Sequence, residues 1–121
     1  MKAVFDTNIL IDYLNGIEAA RDELARYSIR QISIITYIEV MVGATRPAEA
    51  EVIRSFLGSF ESIELSSAIA RETIALRQAH RLKVPDAIVY ATARTQACLL
   101  VTRNTKDLKT EWADIRVPYQ I

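Results

Sequence analysis

Short apolar runs without polar alternation recur along this chain, each followed by residues at helical spacing. Ala3-Val4-Phe5 is the first of them. An uninterrupted run suits a strand buried on both faces, and such strands belong to parallel sheets with helices on either side. That restricts the chain to the α/β class. Gln31–Ile35, rich in isoleucine, reads as a second strand, Glu61–Leu65 as a third, Leu99–Thr102 as a fourth and Ile115–Val117 as a short last one. Between them the period changes. Ile9, Leu10, Tyr13 and Leu14 define a helix from about Asn8, stopped by Asn15-Gly16. Glu18–Tyr27 and Thr36–Ala44 follow as helices. Pro47 fits the first position of another, with Ile53, Phe56, Leu57 and Phe60 as its buried stripe. Ser66 or Ser67 caps a long helix to about Leu82, and Pro85 opens one to about Ala97. The pattern predicts a three-layer α/β/α sandwich around a mostly parallel sheet of four or five strands. It forms one domain over residues 1–121.

The totals remove several function classes. Half of the 121 residues are hydrophobic and a quarter charged, an ordinary globular balance. Cys98 is the only cysteine, so no internal disulfide forms and nothing requires an oxidising compartment. No apolar run approaches the roughly 18 residues of a membrane span. Asp6 ends the first run too early for a signal-peptide core. The expected location is therefore the cytoplasm. Net charge is zero, but residues 1–76 carry 7 Lys and Arg against 11 Asp and Glu, and residues 77–121 carry 8 against 4. The basic C-terminal third is either phosphate-facing or ordinary helix surface.

Asp6 stands out because it directly follows a buried strand. In parallel sheets ligands bind off the carboxyl ends of the strands. Asp6 ends strand one, Glu39 lies one helical turn past strand two, and Asp107 lies a few residues past strand four. Asp86 opens the helix before strand four, which runs antiparallel to the strands and so begins at the same rim. Each has a structural alternative. Glu39 fits a capping box with Thr36, Asp86 answers the positive end of its helix, and Asp107 suits a turn. Asp12 reads as a solvated helix residue, or at most as one that supports the acids from behind. Together, four carboxylates at one rim would repel one another, and a shared divalent cation removes that conflict. Oxygen ligands without nearby Cys or His favour Mg²⁺, with Mn²⁺ as the alternative, over zinc. The single histidine, His80, reads as structural, which weakens any histidine-based mechanism. No Gly-rich phosphate loop is present.

Four segments, Phe5-Asp6-Thr7-Asn8, Thr36-Tyr37-Ile38-Glu39, Pro85–Ala93 and Val101–Asp107, resemble in order and spacing the successive motifs of PIN-domain ribonucleases. The resemblance is closest in kind to the VapC-type toxins of toxin–antitoxin pairs, and it spans nearly the whole chain. It implies Mg²⁺-dependent endonucleolytic cleavage of RNA, a homodimer, and an antitoxin whose C-terminal segment covers the active site. By position, Asp6, Glu39 and Asp86 match the family's metal-binding acids. Many relatives carry the fourth acid where this chain has Asn104, and others rely on the later one, here Asp107. Asp107 is the expected ligand, with Asn104 beside it. Thr7, Asn8 and Thr102 match positions that orient the acids or a bound water. Arg103 and Lys106 are either solvated loop charges or contacts to phosphate that position RNA without reading sequence.

The expected reaction is in-line hydrolysis by a metal-activated water, leaving a 5′-phosphate and a 3′-hydroxyl. Two other readings compete. A receiver-like module also places an aspartate and magnesium at a strand end, but would carry a lysine after a late strand, where Thr102-Arg103-Asn104 stands. A degenerate PIN domain would bind RNA or a partner without cutting.

Overall fold

A computed structural model describes residues 1–121. Five strands, β1 (Lys2–Phe5), β2 (Ile29–Ser33), β3 (Glu61–Ile63), β4 (Leu99–Val101) and β5 (Ile115–Arg116), form one sheet. The helices are α1 (Thr7–Leu14), α2 (Glu18–Ala25), α3 (Ile34–Val42), α4 (Pro47–Leu57), α5 (Ser67–His80) and α6 (Val84–Thr95). Strand order is β3-β2-β1-β4-β5 and every pairing is parallel. The expected sandwich is therefore observed, with the sheet wholly parallel.

The pleat of β1 divides the core in two. Val4 faces a cluster built from α5, α6 and β4, including Ile69, Leu76, Ala87, Ala91 and Leu100. Ala3 and Phe5 face the opposite cluster, with Ile9, Leu10, Leu24, Ile32, Val40 and Leu57 from α1–α4 and β2. Both faces are thus covered, which explains why the strand reads as a run and not as an alternation. Phe5 is fully buried and meets Tyr27 and Phe60 edge-on, with ring centroids 5.4 and 6.1 Å away. Truncating it to alanine would cost about 3–5 kcal/mol. That packing also seats the next residue, Asp6.

Helix starts depart locally from the sequence reading. Strand β2 ends at Ser33, whose hydroxyl caps α3 by accepting from Ile35 N. Thr36 consequently lies within the helix and is fully buried, so the Thr36–Glu39 capping box does not form. Ser66 caps α5 by accepting from Ile69 N, and Pro47 stands at the start of α4, both as expected. His80 ends α5 with its ring 4.4 Å from that of Trp112.

The chain runs outward from the central strand in both directions. From β1 it goes to β2 and β3 on one side, then returns to β4 and β5 on the other. The crevice between the carboxyl ends of β1 and β4 is the topological switch point, where α/β sheets take their ligands. No helix is long and apolar enough to cross a membrane.

Candidate active site

Asp6 sits at that crevice. It is the N-cap of α1, with extended backbone and one carboxylate oxygen accepting from Thr7 N at 2.8 Å. Its own N–H donates to the carbonyl of Val101 on β4, so the residue is stitched to both sides of the switch point. The other oxygen accepts from the fully buried Thr102 hydroxyl at 2.8 Å and from Asn8 Nδ2 at 3.3 Å. Thr102 Oγ1 in turn accepts from Asn104 N at 3.0 Å, and Asn8 Oδ1 accepts from Arg103 N at 3.0 Å. The two segments most distant in sequence are thereby cross-braced around one carboxylate.

Glu39 reaches the same place from α3. Its Oε1 accepts from the Thr7 hydroxyl at 2.6 Å, and the Thr7 and Thr36 hydroxyls are 3.1 Å apart. Asp86 stands half-buried in the first turn of α6. Asp6, Thr7, Asn8, Ile11, Glu39, Asp86, Arg103 and Asn104 together line a cleft of 420 Å³. Asp107 does not line it. It lies behind Asn104, whose Oδ1 accepts from Asp107 N at 3.2 Å and whose amide donates to the Asp107 carboxylate at 3.3 Å. Asp107 still acts on the cleft electrostatically, because its charge helps raise Asp86. Lys106 is exposed on the same loop.

The electrostatics carry the mark of crowded carboxylates. Asp6 is pushed up to about 6, first by burial, with the charges of Asp86 and Glu39 adding to it. Hydrogen bonds from Thr102 and Thr7 pull it back only in part. Asp86 is raised by burial, then by Asp107 and Glu39. Such a set stays ionised at neutral pH most readily when a cation shares it. The donors are all oxygen, which suits a hard divalent ion. The side chains are not drawn into a closed cage, since no three His, Cys, Asp or Glu groups converge tightly enough to hold an ion as they stand.

Arg103 has a partner that the sequence reading missed. Its Nε and Nη2 grip Asp12 at 2.7 and 2.8 Å, and Tyr119 OH donates to the same carboxylate at 2.8 Å. Asp12 is therefore buried and ion-paired, not solvated as its helix position implied. Burial opposes its charge, but Arg103 and Tyr119 outweigh burial and hold the carboxyl below the usual range. A signal existed. Asn8 and Asp12 are four apart on α1, hence on one face, and both receive Arg103. A second missed pair joins Glu23 of α2 to Arg116 of β5 at 2.7 and 2.9 Å, with Tyr27 OH donating to Glu23.

A larger hollow of 920 Å³ opens at the opposite rim, around Tyr90, Cys98 and Trp112. Its Arg94 is already paired with Glu72 and Asp114, and no set of acids converges there.

Comparison with known proteins agrees with this architecture. The sequence pattern of the PIN domain matches residues 3–111. A toxin–antitoxin complex from Klebsiella pneumoniae contains a chain 43% identical, with a TM-score of 0.92, matched over 98% of this chain and 99% of that one. VapBC2 from Rickettsia felis, bound to a DNA fragment from its promoter, is 22% identical with a TM-score of 0.73, over 88% and 90%. FitAcB from Neisseria gonorrhoeae is 18% identical with a TM-score of 0.79, over 98% and 99%. The last two likenesses speak to fold alone. A search of curated proteins gives no match. The chain belongs to the PIN-domain family. Within that family its likeness is to the VapC-type toxins. Family membership sets aside the receiver-like reading.

Proposed function

We propose that the protein is a VapC-type nuclease toxin that hydrolyses RNA phosphodiester bonds endonucleolytically with Mg²⁺, or Mn²⁺ in its place. The observation that carries this reading is the cleft at the β1/β4 switch point. Three acids, from the N-cap of α1, from α3 and from α6, share it, and two of them, Asp6 and Asp86, are raised by burial and by the charges of neighbouring acids. Asp6, Glu39 and Asp86 would hold the ion, with Asp107 completing the set through Asn104. When bound, the cation supplies the positive charge that acidifies a water and offsets charge gathering on the phosphodiester. The remaining work falls to the chain. Thr7 aims Glu39, Thr102 and Asn8 fix Asp6, and Asn104 tethers Asp107. Arg103 and Lys106 would contact phosphate oxygens. The products would be a 5′-phosphate and a 3′-hydroxyl.

The antitoxin belongs to the same reading. The Klebsiella relative occurs in a toxin–antitoxin complex. On this chain an apolar groove of 730 Å³, lined by Ile11, Leu14, Val40, Val52 and Ile53, adjoins the acidic cleft through Ile11, which lines both. A segment lying in that groove would reach the carboxylates. Exposed Ile38 and Val42 on α3 offer apolar surface for a homodimer.

The decisive experiment compares wild type with Asp6→Asn on single-stranded and structured RNA, with Mg²⁺ and with EDTA, and maps the ends. Equal cleavage by Asp6→Asn, resistance to EDTA, or cyclic phosphate ends would each sink the reading.

A further inference from the structure

Arg103 is the one cation that both lines the carboxylate cleft and is tied by an acid outside it. A guanidinium carries five N–H donors. Asp12 engages one on Nε and one on Nη2, and Nη1 makes no hydrogen bond within the protein. The group is therefore gripped along one edge and open along the other. Its backbone is held as well, because Arg103 N donates to Asn8. Asp12 in turn receives the Tyr119 hydroxyl, from the segment after β5, on the same oxygen that takes Arg103 Nε. Tyr119 packs against the α1–α4 core cluster, so its hydroxyl is delivered by a well-anchored ring.

This arrangement is more than an ion pair for stability. A long cation beside three acids would otherwise fold onto one of them and neutralise it. Asp12 removes that option by claiming the Nε edge. It thereby keeps the guanidinium plane fixed beside the acids while leaving donors for a phosphate. Planar arginine held in this way loses little further freedom when it meets a phosphate oxygen.

We infer that Asp12 and Tyr119 are positioning residues that hold the Arg103 guanidinium with its free Nη1 edge available to a phosphate of bound RNA. The inference rests on the proposed ribonuclease function and deepens it.

The test uses the full chain and a fluorescein-labelled single-stranded RNA. Cleavage in Mg²⁺ gives kcat and KM, and anisotropy in EDTA across a salt series gives the slope of affinity against salt. Tyr119→Phe keeps every charge and the ring. It should raise KM about threefold, the loss of one modest hydrogen bond, with kcat nearly unchanged. Arg103→Gln should raise KM roughly tenfold and flatten the salt slope by about 0.7, one phosphate contact on a single strand. Asp12→Asn alone strands a partly buried guanidinium and is liable to unfold, so the second variant is Asp12→Asn with Arg103→Gln. That neutral pair keeps a hydrogen-bonded contact and should match Arg103→Gln. If Tyr119→Phe and Arg103→Gln lower Tm yet leave KM and salt slope at wild type, the pair is structural only and the inference is overturned. Wild type that binds RNA without cutting it overturns the nuclease reading, while the slopes still decide this one. Wild type that does not bind RNA overturns both.

Discussion

The Thr7 hydroxyl donates to Glu39 Oε1 at 2.6 Å, joining the first turn of α1 to the middle of α3. This single bond aims a carboxylate that is otherwise on an exposed stretch of helix. Thr7→Val keeps the branched shape and removes the donor. We expect it to fold normally and to lose about 10- to 100-fold in metal affinity or cleavage rate, the usual effect of losing a ligand's supporting bond. Metal titration by calorimetry and a cleavage assay would check this. Wild-type values for both would show that Glu39 needs no such guide.

Adding Mg²⁺ should raise the thermal midpoint of the wild type. A ligand at a hundred times its Kd contributes about 3 kcal/mol to the folded state. Asp6→Asn removes the central charge and should show no comparable rise, and EDTA should reverse the wild-type shift. Identical midpoints with and without Mg²⁺ in the wild type would count against a metal at this cleft.

The fourth arm of the site can be settled by exchanging its two members. Asp107→Asn should lower cleavage by about 10- to 100-fold, as expected for an outer ligand or its support. Asn104→Asp moves a carboxylate into the cleft lining and should retain activity within about threefold. The reverse ranking would make Asn104 the ligand and Asp107 its tether.

Glu23 supplies the clearest pH dependence away from the cleft. Burial opposes its charge, but Arg116 and Tyr27 hold the carboxyl below its ordinary value of 4.5. A depressed acid stabilises the fold fully above its unfolded pKa, and that contribution is lost as pH falls through the folded value. Glu23→Gln should cost about 2–4 kcal/mol at pH 7, since Arg116 loses the partner of a largely buried pair. The difference from wild type should shrink as the pH is taken below 4.5. Denaturant midpoints across that range provide the measurement. A difference that does not change with pH would mean the charge is irrelevant.

The layers of the fold were legible because β1 and β4 are buried on both sides and their composition says so. Asp6 was legible for the same reason, an acid having no local excuse at the end of such a run. Asp12 was not. Its burial depends on Arg103, 91 residues away, and a helix period alone places it in solvent. Thr36 and Glu39 fit a capping box locally, but the strand ended at Ser33, which took the cap instead. Asp107 and Asn104 were ambiguous because both lie on one short turn, where a hydrogen bond between them, not spacing, decides which faces the cleft.

The place of β1 in the sheet has a consequence for synthesis. Ala3 pairs with Leu99, and Asp6 is braced by Thr102, so the first strand made waits for nearly the last. Asp86, Thr102 and Asn104 reach the crevice only when the second half of the chain has emerged. A growing polypeptide therefore has the acid but not the cleft. An enzyme that attacks RNA would lack its cleft on the ribosome translating it until β4 and the loop that follows it had been made.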